Sequence, residues 1–185
     1  MKSLYQLGLV GLAALAASGA GCVPRSTESN EVGVNYCKFW CGGEKVETVA
    51  PGQTIFLAPM KNDWYTLSVD MQTSYMSLNK ESGDRTERDD LIFKTEEGND
   101  IGQDIVLTWK VDPTKAQKVV EEVGTDIGDI REKYVRPLAR SIVRDYLNRL
   151  TSSEFYESQR RFEETEKATE ELKTKFAEYG ILVDK

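Results

Sequence analysis

The sequence predicts an α+β domain: a mostly antiparallel β-sheet in its first half, packed helices in its second, and a hydrophobic segment ahead of both. Three observations predict it. Up to Val111 apolar residues alternate with polar ones; beyond Pro113 they recur at every third or fourth position; and all the strand-like segments but the last precede the helical ones, the element order of an α+β fold. Of the 185 residues, 39% are hydrophobic and 30% charged, enough apolar material for the core of one domain.

The chain opens on a short basic start, Met1 to Ser3, followed by an apolar stretch from Leu4 to Ala17 and the small residues Ser18, Gly19, Ala20 and Gly21 ahead of Cys22. That order is the order of a secretory signal. Small residues before a cysteine resemble the bacterial lipoprotein signal, whose usual run is Leu, Ala or Ser, Gly or Ala, then Cys. Ala20, Gly21 and Cys22 fit that run, and Gly19 stands where Leu is usual. Three outcomes stay open for residues 1–21: removal with lipid attached at Cys22, retention as an uncleaved membrane anchor, or plain export after cleavage at Ala20. The apolar stretch is shorter than the ~20 residues that span a bilayer. Residues 22–31 are expected to be a polar tether, and the folded domain is expected over 32–185.

The elements follow in order. "VGVNYCKF" reads as a first strand ending at the turn glycines Gly42 and Gly43. "KVETV" runs into Pro51-Gly52, a pair suited to a type II turn, from which "TIFLAP" returns. In "YTLSVDMQ", Leu67, Val69 and Met71 alternate with polar neighbours, as in a sheet with one wet face, and the segment from there through Asp90 is expected to be loop. "DLIFKT" and "IGQDIVLTWKVD" read as a hairpin with Ile101, Ile105, Leu107, Trp109 and Val111 on one face of its long second arm. Pro113 fits a first helical turn, Asp126 caps a second helix, and Ile127, Ile130, Tyr134, Leu138, Ile142 and Tyr146 mark the buried face of that helix, with a kink or restart at Pro137. Thr151 to Ser153 followed by Glu154 start a third helix, with Phe155, Phe162, Leu172, Phe176 and Tyr179 on its apolar stripe and Gly180 at its end. "ILVDK" is a last strand fragment.

Taken together, "VGVNY", "VAPGQTIFLAP", "YTLSVDMQT", "FKTEEGNDIGQDIVLTWKVDP", "VRPLARSIVRDYL" and "YGILV" resemble the SPFH or band 7 domain of stomatins, prohibitins and flotillins, in order and over nearly all of residues 31–183. The resemblance implies a membrane-attached domain that assembles into homo-oligomers, organises lipid and protein in the membrane, and regulates membrane proteases or channels. It implies no catalytic residues and no cofactor. Most members continue into a long coiled coil that drives assembly; the sequence reaches Lys185 without one, as a short form or as a piece of a longer product.

Composition narrows the chemistry. Histidine is absent and the formal charge is -7, so the commonest general base and zinc ligand is missing, and no run of Lys and Arg is long enough to neutralise a line of phosphates. Nucleic acid is not an expected partner, and a membrane would be held by hydrophobic attachment rather than charge. Cys37 and Cys41 are a candidate disulfide. In an extended strand they would stand ~13 Å apart, so the bond requires a turn at Phe39 or Trp40. Two nearby cysteines are too few for a structural metal site, and a thiol oxidoreductase using this pair is a remote rival reading. Arg136, Arg140 and Arg144, four residues apart, form a basic strip on the exterior of their helix: either a solvated face or a candidate oligomer interface for the acidic helix that carries Glu154, Glu157, Glu163, Glu164, Glu170 and Glu171. Arg85, Glu87, Arg88, Asp89 and Asp90 are expected to be a solvated loop, and Trp64, Tyr65 and Trp109 to be core or sheet-face residues.

The function expected is a non-enzymatic membrane scaffold on the exported side of a bacterial membrane. Lipid at Cys22 is its expected hold, the uncleaved run the alternative. Val23 in place of aspartate leans toward the outer membrane by analogy. The rival within the same family is a monomeric regulator of a membrane protease or channel.

Overall fold

Alternating sequence in the first half gives strands, and each is antiparallel to its partner. A computed structural model of the chain describes residues 22–39, 46–58, 60–79 and 81–184; the apolar N-terminal run, Cys41 and the glycines at 42 and 43 lie outside them. The segment expected to be a tether is partly ordered: β1 (Val23–Ser26) pairs with β4 (Thr54–Leu57), Val23 opposite Leu57 and Ser26 opposite Thr54. Backbone pairing holds it, since its side chains are all exposed. Beyond it Thr27 turns inward, its hydroxyl donating to the Ala50 carbonyl at 2.8 Å.

A first three-stranded sheet has β2 (Glu31–Cys37) between β3 (Val46–Val49) and β5 (Asn62–Ser68). On one face Val32, Val34 and Leu67 are fully buried in the main core. On the other, Gly33 leaves room for the Trp64 ring: a Cβ there would collide with the indole. The strand read through Met71 instead stops at Ser68, where Asn30 ties the turn by donating to the Asp70 carboxylate at 2.6 Å and Met71 is left exposed.

A second sheet has β9 (Ile105–Val111) between β6 (Gln72–Met76) and β10 (Ile181–Val183). β6 lies in the stretch expected to be loop. Its Ser74 is buried because its hydroxyl accepts the Trp109 indole N–H at 3.0 Å. The expected long hairpin arm is two strands: β8 (Asp100–Gln103) pairs with β7 (Leu91–Lys94), and β9 starts anew after Asp104. That residue's carboxylate leaves the ladder to accept from Ser77 Oγ (2.9 Å) and the Leu78 N–H (2.8 Å). The expected inward face of β9 holds, with Leu107, Trp109 and Val111 buried.

Asp112 caps a 3₁₀ turn, Pro113–Lys115, that leads into α1 (Ala116–Glu122). Asp126 caps α2 (Ile127–Ile130), accepting from the Asp129 N–H at 3.1 Å. The helix then passes through a π-helical turn, Arg131–Val135, before α3 (Arg136–Leu147), with Pro137 in the first turn of α3. Proline offers no N–H to the turn before it, and a π turn is one way a helix absorbs the missing bond. The wider turn also shifts the buried face: Val135, Ala139 and Leu147 join Ile130 and Ile142 inside, while Tyr134, Leu138 and Tyr146 of the expected stripe are half-buried at its margin. Short α4 (Ser152–Tyr156) is followed by α5 (Ser158–Glu178), which packs along α3. Gly180, at φ +79°, turns the chain back so that β10 pairs with β9. A smaller core of Leu91, Phe93, Leu147, Leu150 and Phe155 sits under β7.

Candidate functional site

Cys22 is exposed and carries a free thiol directly ahead of β1. Cys37, the last residue of β2, is half-buried and disulfide-bonded. It stands at a strand end and not at a helix N-terminus, where a thiolate would be stabilised.

The three arginines are not equivalent. The strip expected on the helix exterior is buried at its first member, because the π turn brings position 136 inward: Arg136 is 2% exposed. Its Nη2 donates to Asp84 Oδ2 at 2.8 Å and to the Tyr75 carbonyl at 3.1 Å, and its Nη1 donates to Asp89 Oδ2. Its Nε lies 3.0 Å from Glu132 Oε1, at ion-pair distance but without hydrogen-bond geometry. Arg140 donates to Asp89 Oδ1 at 2.8 Å and to the carbonyls of Asp89 and Asp90. Arg144 is exposed.

The loop expected to be solvated is therefore half of a buried ionic hub. Asp89 and Asp90 are 7% and 4% exposed. Arg88 clasps Asp90 at 2.6 and 2.9 Å and holds that carboxyl below the usual carboxylate range. Arg85 bonds Glu132, which raises the already high pKa of its guanidinium. On β8, Gly102 leaves the space Asp90 needs, since a Cβ there would meet Asp90 Oδ2 at 2.6 Å. The matching charges of 84–90 and 132–140 were legible in the sequence, but their meeting across 47 residues was not.

The acidic helix takes no part in this hub. Glu154 closes a capping box with Thr151, Glu163 pairs with Arg160, Glu164 with Lys167 and Glu170 with Lys173. Across the α3–α5 contact, Tyr146 donates to Glu171 at 2.8 Å. An open groove of about 590 Å³ runs between β9, α3 and α5, lined by Ile105, Leu107, Val143, Phe155, Phe162 and Leu172. With Arg136 and Arg140 holding Asp84, Asp89 and the Asp90 carbonyl, the hub braces the loop ahead of β7 against α3. Among the described residues there is no cluster of cysteine and carboxylate side chains suited to a metal ion, and no helix long and apolar enough to cross a membrane.

Compared with protein families, residues 25–185 match the SPFH domain / Band 7 family. The chain belongs to that family. The match begins within β1 and ends beyond β10, so both three-stranded sheets, the ionic hub and the helical layer all fall inside the band 7 domain. Comparison with curated proteins finds no match. Band 7 domains are generally non-enzymatic and scaffold-like at membranes.

Proposed function

We propose that this band 7 domain is held at a bacterial membrane surface, on the exported side, where it self-associates and organises or regulates membrane proteins without catalysis. The observation that carries the proposal is the family match over the whole described fold, preceded in sequence by an apolar run that ends at Cys22. Attachment confines copies to two dimensions, which raises their effective concentration and makes weak lateral contacts productive. Lipid on the Cys22 thiol supplies the hold; the thiol is exposed and stands directly ahead of the first strand. The uncleaved run is the alternative hold. Val23 in place of aspartate favours the outer membrane.

Two measurements test this. The intact mass of membrane-extracted protein is expected to correspond to a chain starting at Cys22 with added acyl mass; an unmodified full-length chain would transfer the hold to the apolar run. In mild detergent the protein is expected to elute above monomer size. A monomer at every concentration removes the scaffold and leaves a monomeric regulator of a membrane protease or channel.

A further inference from the structure

The two edges of the second sheet are treated differently. On the β6 side the edge is closed: the Tyr75 N–H donates to Asp84 Oδ2 at 3.0 Å, and the Tyr75 carbonyl accepts from the Asp84 N–H at 3.2 Å and from Arg136 Nη2 at 3.1 Å. The ionic hub thus covers a strand edge that would otherwise be open to pairing with another chain. On the other side β10 covers only the far end of β9. Its residues stand opposite Val111, Lys110 and Trp109, the Asp184 N–H reaches the Thr108 carbonyl at 2.9 Å, and the pairing stops there. Successive residues of a strand bond to opposite sides. Asp112 donates to Gly180 and Thr108 accepts from Asp184, so the even-numbered residues of β9 bond toward β10 and the odd-numbered ones toward β6. The N–H and C=O of Val106 and the N–H of Thr108 therefore point out past β10, and no backbone partner meets them among the described residues.

That open edge borders the groove between β9, α3 and α5. The floor of the groove is apolar, from the buried side chains of Leu107, Leu147, Phe155 and Leu172, and its rim carries Val106 and Phe162, 55% and 68% exposed. On the α5 wall the hydroxyls of Thr165 and Thr169 donate to carbonyls of their own helix, each at 2.8 Å. Hydrogen bonds are therefore on offer from the β9 wall and apolar contacts from the floor, the arrangement by which an extended peptide adds to a sheet. An alkyl chain would use the floor and make no use of the edge. The groove also has a direction. α5 leads through Gly180 straight into β10, so its first turns lie at the end away from β10, beside Gln103 to Ile105. There Arg161 stands over the Phe155 ring at 5.5 Å. Its neighbour Arg160 is paired with Glu154 and Glu163, but no carboxylate among the described residues is at ion-pair distance from Arg161. A strand running on in the direction of β10 would bring its C-terminal end to that guanidinium.

We propose that an extended segment of a partner protein adds to the open edge of β9 in line with β10, with apolar side chains at alternate positions on the groove floor and a carboxylate at its C-terminal end against Arg161. The site gives the domain a means of holding another protein that does not depend on how it is attached to a membrane. The test uses the full chain, with phosphatidylethanolamine and phosphatidylglycerol nanodiscs present, and as probe a fluorescein-labelled peptide, Thr-Val-Thr-Val-Thr-Val-Glu. Saturable binding is expected in fluorescence anisotropy. Val106→Pro removes the N–H aimed at the groove and leaves the pairing with β6, and should weaken binding about tenfold; Val106→Thr, which keeps the N–H, should bind as the wild type does. Arg161→Gln should weaken the peptide ending in Glu several-fold and leave one ending in Gln unchanged. Peptides N-methylated at every second residue repeat the test on the unaltered protein: one alternate set blocks the edge that faces β9 and should abolish binding, and the other set should bind as the unmodified peptide does. Equal binding of the two methylated peptides reduces the groove to an apolar cleft and overturns the proposal, as does the absence of saturation up to millimolar peptide. A dimer that Val106→Pro abolishes and the peptide leaves intact assigns the edge to a second copy, which also overturns it. Peptide binding by a chain that stays monomeric upholds this proposal while removing the scaffold.

Discussion

Arg136 carries a full charge in a place almost closed to water, and three carboxylates make this tolerable. Removing one member of a buried ionic cluster leaves its partner's charge stranded, at a cost of about 3–5 kcal/mol. Arg136→Met is accordingly expected to lower the urea-unfolding free energy by about that much, whereas Arg144→Met, at an exposed site, should change it by less than about 0.5 kcal/mol. The same hub makes the fold acid-sensitive. With Arg88 holding Asp90 below the ordinary carboxylate range, the folded state binds that proton less readily than the unfolded chain. The stabilisation is complete above the unfolded value of about 4 and is lost as pH falls through it and on toward the lower folded value. Urea midpoints measured downward from neutral pH should drop across that window, and Arg88→Gln should flatten the drop. Helical spacing puts the basic residues at 136, 140 and 144 outside, which holds for Arg144 and fails for Arg136, because whether a charge is buried depends on a partner and not on its own helical spacing.

At the scale of elements, what local chemistry decides was legible and what distant partners decide was not. The capping box at Thr151 and Glu154 was readable because both residues lie within one turn. Thr151→Ala should cost about 1 kcal/mol in unfolding free energy, seen as a lower midpoint in thermal or urea melts. The helix stop at Gly180 was readable too, and the structure adds a reason beyond its φ of +79°: a Cβ there would stand 2.8 Å from Lys115 Cβ. Gly180→Ala should therefore destabilise by more than the ~1 kcal/mol that backbone strain alone accounts for. By contrast β6 read as loop, since the sequence shows Ser74 as polar and cannot show that Trp109 satisfies it. The π turn ahead of Pro137 was likewise half legible: proline announces a disturbance, but its form, and the resulting shift of the buried face to Val135 and Ala139, depends on how the helix packs.

Over the whole molecule, the order of strands then helices survives, but the connections between sheets do not follow the order of reading. The hairpin predicted across residues 91–111 is divided between a two-stranded ribbon and the second sheet, and the residues joining them serve the loop before β7. The ionic hub was legible in one ingredient, the arginines, and not in its arrangement. β9 is covered on one side by β6 and on the other by β10, which follows the entire helical half of the chain. During synthesis, Trp109 and Val111 must wait on a nearly exposed edge until residues 181–183 arrive. Such long-range pairing is slow to form. A chain released after Gly180 is expected to aggregate where the complete chain stays dispersed, as light scattering at equal concentration would show. A centre that cannot close until the last strand is made keeps the growing chain open until its synthesis has passed residue 183.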